Sequence, residues 1–257
     1  MAKVTIQTLT VAIDHAPNSG PAGKQVCTQI AEAMGLSIVT VQTDSPSTYS
    51  AYYCYNNDHR FQIRLTGNSS GYISALLCRQ DSSGQLSNIA EDRLIDISYS
   101  SSSTYYYSFR LVTAGTLKYI KYVSTDYRYC GFGVATMINV YDSKVYPIVF
   151  RSSSGSIAPT IYVYTMLDDY SLVTLNTYTM SDTTIPYDGK FYLVPFRFGS
   201  TTYNIMGSPG GVSYFFLYGT SMFGDTWKAE SLPAGTLLSI GGISVVFMWQ
   251  YIFIGLE

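Results

Sequence analysis

The sequence predicts a mainly β protein, an antiparallel sandwich or barrel that carries one N-terminal helix. Three observations predict it. Apolar and aromatic residues alternate with polar ones along most of the 257 residues, the two-residue period of a half-buried strand. Ser- and Gly-rich clusters separate these runs and act as turns. A period near 3.6 occurs convincingly once, over residues 20–35, as an amphipathic helix requires.

The elements follow in chain order. Residues 1–13 alternate as a strand: Val4, Ile6 and Thr8 share one face, then Leu9, Val11 and Ile13 share the other. That phase slip predicts a bulge or bend at Thr8–Leu9. In GPAGKQVCTQIAEAMG, residues 20–35, Val26, Ile30 and Met34 recur at i, i+4 and i+8, with Cys27 and Ala31 beside them. Ser19 or Gly20 suits the N-cap, Pro21 the first turn and Gly35 the C-terminal cap. The apolar stripe must pack on something, most simply a sheet.

From Ser37 onward the chain reads almost wholly as strands. Phe61, Ile63 and Leu65 alternate with Arg60, Gln62 and Arg64, and Ile95, Ile97 and Tyr99 with Asp96 and Ser98. Tyr105, Tyr107, Phe109 and Leu111 alternate with Tyr106, Ser108 and Arg110. Residues 161–164 (IYVY) and 191–198 (FYLVPFRF) are rich in β-branched and aromatic residues, which favour strands. Pro147 and Pro195 lie inside such runs, which predicts edge strands or bulges there, since proline donates no ladder hydrogen bond.

Residues 182–188 (DTTIPYD) break the pattern, and a Gly-dense block follows. A domain boundary is therefore placed near residue 186, with a β-rich domain over 1–185 and a second small β domain over 186–257. The run from Ile240 to Leu256 is the most apolar, but it contains Gly241, Gly242, Ser244 and Gln250. It is short of the roughly 20 residues of a spanning helix and reads as a buried terminal strand or hairpin. Met1 to Ile13 lacks the unbroken apolar core of a secretory signal, so free thiols are expected for Cys27, Cys54, Cys78 and Cys130.

Composition narrows function. Charged residues are 12% of the chain, with 15 basic and 17 acidic side chains, about half the usual 25%. A net charge of −2 provides no basic excess for phosphate contacts. Hydrophobic residues at 47% exclude a disordered chain. There are 25 Tyr, 32 Ser and 25 Thr. A surface this poor in ions and rich in phenol and hydroxyl groups loses little when water is removed, because Lys and Glu carry the larger entropy and desolvation costs at contacts. It suits a subunit that lies against other copies.

Catalytic patterns fail on inspection. Gly67-Asn68-Ser69-Ser70-Gly71 matches G-x-S-x-G, but a strand pattern follows where the nucleophile elbow needs a helix, so a hairpin turn is expected. Only His15 and His59 are available as bases. Cys54 and His59 lack the paired spacing of a zinc site. Asp168-Asp169 reads as a solvated turn. Gly131-Phe132-Gly133 begins a dinucleotide fingerprint, but position 136 is Thr and no βαβ pattern surrounds it. No catalytic, cofactor-binding or metal-binding residue is assigned. Tyr105, Tyr106, Tyr107, Tyr52 and Tyr53 are the candidates for subunit or ligand contact, because rings can stack on sugars or on protein. Successive strand residues face opposite ways, so Tyr105 and Tyr107 are expected to turn inward and Tyr106 outward.

Three stretches carry a likeness: the start MAKVTIQTL, the Ser/Tyr-dense SYSSSSTYYYSFRL, and the closing KFYLVPFRF…GDTW…AGTLLSIGGISVVFMWQYIFIGLE. In these the whole chain resembles virion structural proteins of tailed bacteriophages and related contractile particles. The resemblance implies a non-enzymatic tail, neck or baseplate subunit in a homo-oligomeric ring or array. It would be made in the host cytoplasm without a signal peptide and reside in the virion. Its partners would be its own copies and other virion proteins, with no nucleic acid, membrane span or cofactor. A carbohydrate- or receptor-binding module, an adhesin or tail-tip protein contacting a host surface glycan, is the alternative.

Overall fold

The computed structural model describes residues 3–13, 19–45, 48–55, 58–67, 72–96, 105–123, 131–152, 161–179, 191–219, 232–249 and 252–256. The fold is mainly β with a single described helix. β1 (Val4–Ile13) leads into α1 (Ser19–Met34). Five strands follow: β2 (Ser37–Ser45), β3 (Thr48–Tyr55), β4 (Asp58–Gly67), β5 (Tyr72–Gln80) and β6 (Leu86–Asp96). Next come β7 (Tyr105–Ala114), β8 (Leu117–Tyr122), β9 (Gly131–Ile138), β10 (Val145–Ser152), β11 (Ile161–Met166) and β12 (Leu172–Thr179). The chain ends with β13 (Phe191–Ser200), β14 (Ile205–Gly207), a 3-10 turn at Pro209–Gly211, β15 (Tyr214–Gly219), β16 (Leu237–Ile240), β17 (Ile243–Trp249) and β18 (Ile252–Gly255).

β2 to β6 form a five-stranded antiparallel meander in chain order. The other thirteen strands form one antiparallel sheet, ordered β1-β7-β8-β9-β10-β11-β12-β13-β15-β18-β17-β16, with β14 beside β13. The helix and the meander are thus one excursion between β1 and its partner β7.

The large sheet is covered on both faces over part of its width. One face closes on itself around Tyr119, Phe150, Val163, Phe196, Phe198, Tyr214, Val246 and Ile254. An ideal Cβ on Gly235, just ahead of β16, would lie 2.9 Å from Ile6 of β1 and 2.7 Å from Arg110 of β7. The two ends of the sheet therefore meet, as in a barrel. The other face packs through Phe109, Ile120, Phe132 and Val134 onto the α1 stripe of Val26, Ile30 and Met34, and onto Tyr53, Ile63 and Leu65 of the meander. Phe61 and Leu77 extend this contact to Val149, Tyr164 and Met166.

The helix ends where the sequence places its cap. Gly35 has φ +63°, the left-handed conformation that glycine adopts without a Cβ penalty. The Leu36 N–H donates to the Ala31 carbonyl at 2.8 Å and the Gly35 N–H to the Glu32 carbonyl at 2.9 Å. This is the paired bonding of a Schellman cap, with Leu36 buried behind it.

Several expectations are corrected. β1 and β7 pair without a register break from Val4↔Ala114 to Ile13↔Tyr105, so no bulge exists at Thr8–Leu9. The phase slip marks a change of covered face: Val4 and Ile6 pack on the closed core, Leu9 and Val11 on the helix side. Pro147 and Pro195 sit on interior strands. Each lies one residue beyond a neighbouring ladder. The β11 pairing begins at Ile148 and the β12 pairing at Phe196, so the missing N–H leaves no gap. The Pro147 carbonyl still accepts from Thr165 Oγ1 at 2.8 Å. Nor do residues 186–257 fold around a sheet of their own. β12 and β13 pair across the expected boundary, and residues from both sides share one core.

The apolar tail is an antiparallel pair, β17 with β18, and no described helix is long and apolar enough to cross a membrane. β4 and β5 pair antiparallel from Phe61↔Arg79 to Gly67↔Ile73, which makes their connection a hairpin; residues 68–71 themselves lie outside the described residues.

Candidate functional site

β7 positions the tyrosine run. Tyr107 is buried beside Tyr122, ring centres 6.4 Å apart. Tyr106, one residue earlier and on the opposite face, is 70% exposed. Tyr105 pairs with Ile13 at the end of the ladder, and its side chain lies outside the described residues.

Tyr52 and Tyr53 on β3 are not surface platforms. Tyr53 is fully buried, its hydroxyl 3.1 Å from that of Tyr49. Burial pushes its phenol well above the ordinary value, and the Tyr49 hydroxyl adds to this. Tyr52 turns to the other face but is buried too, with the Arg64 guanidinium 5.6 Å from its ring centre. Arg64 is held there by hydrogen bonds from Nε (3.1 Å) and Nη2 (2.9 Å) to Ser50 Oγ. Both faces of β3 are covered, which alternation alone does not reveal.

Among the described residues, exposed apolar side chains gather at two places outside the tyrosine run. β2 is, among the described residues, an edge strand paired with β3 alone, and Ile38, Val39 and Val41 along it are 56%, 37% and 49% exposed. The register shifts between Ile38 and Thr40, which turns Ile38 and Val39 both outward. The second group lies at the β9–β10 turn: Ile138, Val140, Tyr141 and Val145, all exposed. Sequence reasoning missed both. The readable signal was the run SIVTVQT at Ser37–Thr43, β-branched and free of charge.

The face around Tyr106 is built differently. Thr8 and Thr10 of β1 stand opposite Arg110 and Ser108 of β7, and Arg110 stands opposite Lys121 of β8. The hydroxyls of Thr10 and Ser108 are 3.4 Å apart. Arg110 is half-buried, its stem against Gly235, and its Nε is buried without a hydrogen-bond partner among the described residues.

The residues weighed for chemistry take structural places. Asp168 and Asp169 are exposed in the β11–β12 turn. Asp168 pairs with Lys144, and this bond raises the Lys144 pKa. The Ser171 N–H donates to Asp169 at 2.9 Å and holds that carboxyl below its usual range. Cys27, Cys54 and Cys78 are buried free thiols; Cys130 and the His59 side chain lie outside the described residues. No group of three or more His, Cys, Asp or Glu that could hold a metal occurs among the described residues. Gly131-Phe132-Gly133 belongs to strand β9. An apolar cavity of about 200 Å³ lies between the two sheets, lined by Tyr53, Phe61, Ile63, Val134 and Pro147 among others.

No family model, curated protein or solved structure matches this chain.

Proposed function

We propose that this chain is a non-enzymatic structural subunit that assembles with copies of itself and with other proteins of a tailed-bacteriophage-type virion, in its tail, neck or baseplate. The observation that carries the reading is the edge of β2, which among the described residues is paired by β3 alone. Edge strands of soluble monomers are blunted by charge, proline or a covering element, because unpaired N–H and C=O groups template further pairing. Over Ser37–Thr43 the strand has no charge and no proline, its one charge being Asp44 next to its end, and it presents Ile38, Val39 and Val41 to solvent. Strand addition by a neighbouring copy satisfies the edge and covers these side chains.

The test is light scattering of the purified chain beside an Ile38→Lys/Val41→Lys variant. The expected result is an oligomer for the wild type and a monomer of unchanged melting temperature for the variant. A monomeric wild type, or an oligomer indifferent to both lysines, overturns the edge-pairing reading. Absence of the chain from purified particles overturns its virion role.

The second reading, a carbohydrate- or receptor-binding module, is favoured at one place. That place is the exposed ring of Tyr106 beside the hydroxyls of Thr10 and Ser108.

A further inference from the structure

One edge of β13 is shared by two strands, β14 at Phe198–Ser200 and β15 at Phe191–Phe196. Arg197 stands at the break between these ladders, with Tyr178 of β12 on its other side. A cleft of about 730 Å³ opens at this break, lined by the loop that joins β14 to β15 and by the β9–β10 turn.

Both walls are fixed. The Tyr214 hydroxyl pins the loop by donating to the Pro209 carbonyl at 2.8 Å. Gly210, with φ +77°, presses against the next strands, where an ideal Cβ would lie 2.8 Å from the Ala114 carbonyl oxygen. Its neighbour Gly211 borders open space, since an ideal Cβ there meets nothing within 4 Å. The opposite wall is held by the Asn139 side chain, which donates to the Asn204 carbonyl and accepts from the Met206 N–H, each at 3.0 Å. Walls already in place spare a ligand the entropy of ordering them. The volume lies within the roughly 300–1,000 Å³ of small-molecule sites.

The lining combines apolar surface with a single charge. Ile138 and Val140, both exposed, lie on the turn side. Pro195 and Phe215, cross-strand partners, lie on the sheet side. Arg197 is the only charged residue among the described lining. It is partly buried and has no ion-pair partner among the described residues. A cation drawn partly out of water without a counterion carries a desolvation cost, and a carboxylate offsets it through paired N–H···O bonds. An inorganic anion would leave the apolar walls wet, and a neutral hydrocarbon would leave Arg197 unpaired. Together they call for an apolar body that bears one carboxylate.

We propose that this cleft binds a small organic carboxylate, its carboxylate paired with Arg197 and its apolar body laid along Val140, Pro195 and Phe215.

Calorimetric titration of the full chain with 1-naphthylacetate, and with 2-(1-naphthyl)ethanol as its neutral counterpart, tests the assignment. The acid should bind about tenfold or more tightly than the alcohol, and added salt should weaken the acid alone. Arg197→Gln should bring the acid down to the affinity of the alcohol, while Arg197→Lys, which keeps the charge, retains part of the difference. Val140→Glu, at an exposed position, sets a carboxylate against the bound one and should weaken the acid while sparing the alcohol. Melting temperatures identify any variant that fails to fold, and Val140→Glu with Arg197→Lys then carry the test. Failure of the acid to bind, an acid that binds no tighter than the alcohol, or acid binding indifferent to Arg197→Gln and Val140→Glu overturns the site.

Discussion

Tyr119 on β8 stands directly opposite Gly133 on β9, and its ring occupies the space that a side chain at 133 would need. An ideal Cβ there would lie 3.0 Å from Tyr119 Cδ2 and 2.8 Å from the Lys118 carbonyl oxygen. The same phenol lies over Gly131. The two glycines of Gly131-Phe132-Gly133 are thus explained by one ring laid across a neighbouring strand, with Tyr119 fully buried in the closed core.

Gly133→Ala is therefore expected to destabilise the protein, although alanine in a strand interior ordinarily gains conformational entropy over glycine. The Cβ is driven into backbone and ring, and overpacking of this kind costs about 1–3 kcal/mol. Urea unfolding measures the loss. In a Tyr119→Leu background the ring is gone and the penalty should shrink, a non-additivity that reports direct contact. An additive double variant would disprove the contact.

Stability should also fall at alkaline pH, ahead of general base denaturation. Burial pushes the Cys78 thiol from 9.0 up to about 11, with the Arg64 charge only partly opposing it. Burial raises Cys27 further. Between about pH 9 and 11 the unfolded chain releases these protons while the folded chain keeps them, so folding becomes less favourable as pH rises. Below pH 9 both states hold the protons and the stabilisation is complete. The slope is at most about 1.4 kcal/mol per pH unit for each group. Urea midpoints should be flat from pH 7 to 8.5 and decline above 9. In a Cys27→Ala/Cys78→Ala variant the decline should be delayed until the unfolded tyrosines ionise near pH 10, because Tyr53 and Tyr214 are also raised by burial.

Much of this fold is readable from local pattern, because local pattern is what sets an element. The helix stripe of Val26, Ile30 and Met34 and the cap at Gly35 lie at the predicted places. Tyr106 outward and Tyr107 inward follow from strand alternation. What alternation cannot say is which face is covered, or whether both are. Val4 and Ile6 pack on one layer and Leu9 and Val11 on another, so a straight strand imitates a bulge. Tyr52 and Tyr53 point opposite ways and are both buried, because β3 has the helix side on one face and Arg64 on the other. The continuity of the large sheet past residue 186 is a non-local pairing of β12 with β13, which a Gly-dense composition conceals. Arg110 opposite Lys121 is likewise a matter of register and leaves no trace in either strand alone.

Asn139 ties two distant turns together, and its loss should loosen both. The residue is 1% exposed at the end of β9. Its Oδ1 accepts from the Met206 N–H at 3.0 Å. Its Nδ2 donates to the Asn204 carbonyl at 3.0 Å and to Asp142 Oδ1 at 2.8 Å. The Val140 N–H reaches the Met206 carbonyl at 2.9 Å beside it. These bonds clamp the β9–β10 turn to the segment entering β14, 65 residues or more along the chain. Removing a buried amide whose partners stay in place costs the desolvation of those partners as well as the bonds, about 1–3 kcal/mol. Asn139→Ala is expected to lose about that much. Asn139→Asp keeps an acceptor for Met206 but gives up the donor to Asn204 and sets a second carboxylate against Asp142, so it should not rescue the fold. Hydrogen exchange locates the effect: the Met206 and Val140 amides should exchange faster in Asn139→Ala, while amides of the β3–β4 ladder stay protected. Uniform acceleration across both sheets would mean that Asn139 supports the whole core and not a local clamp.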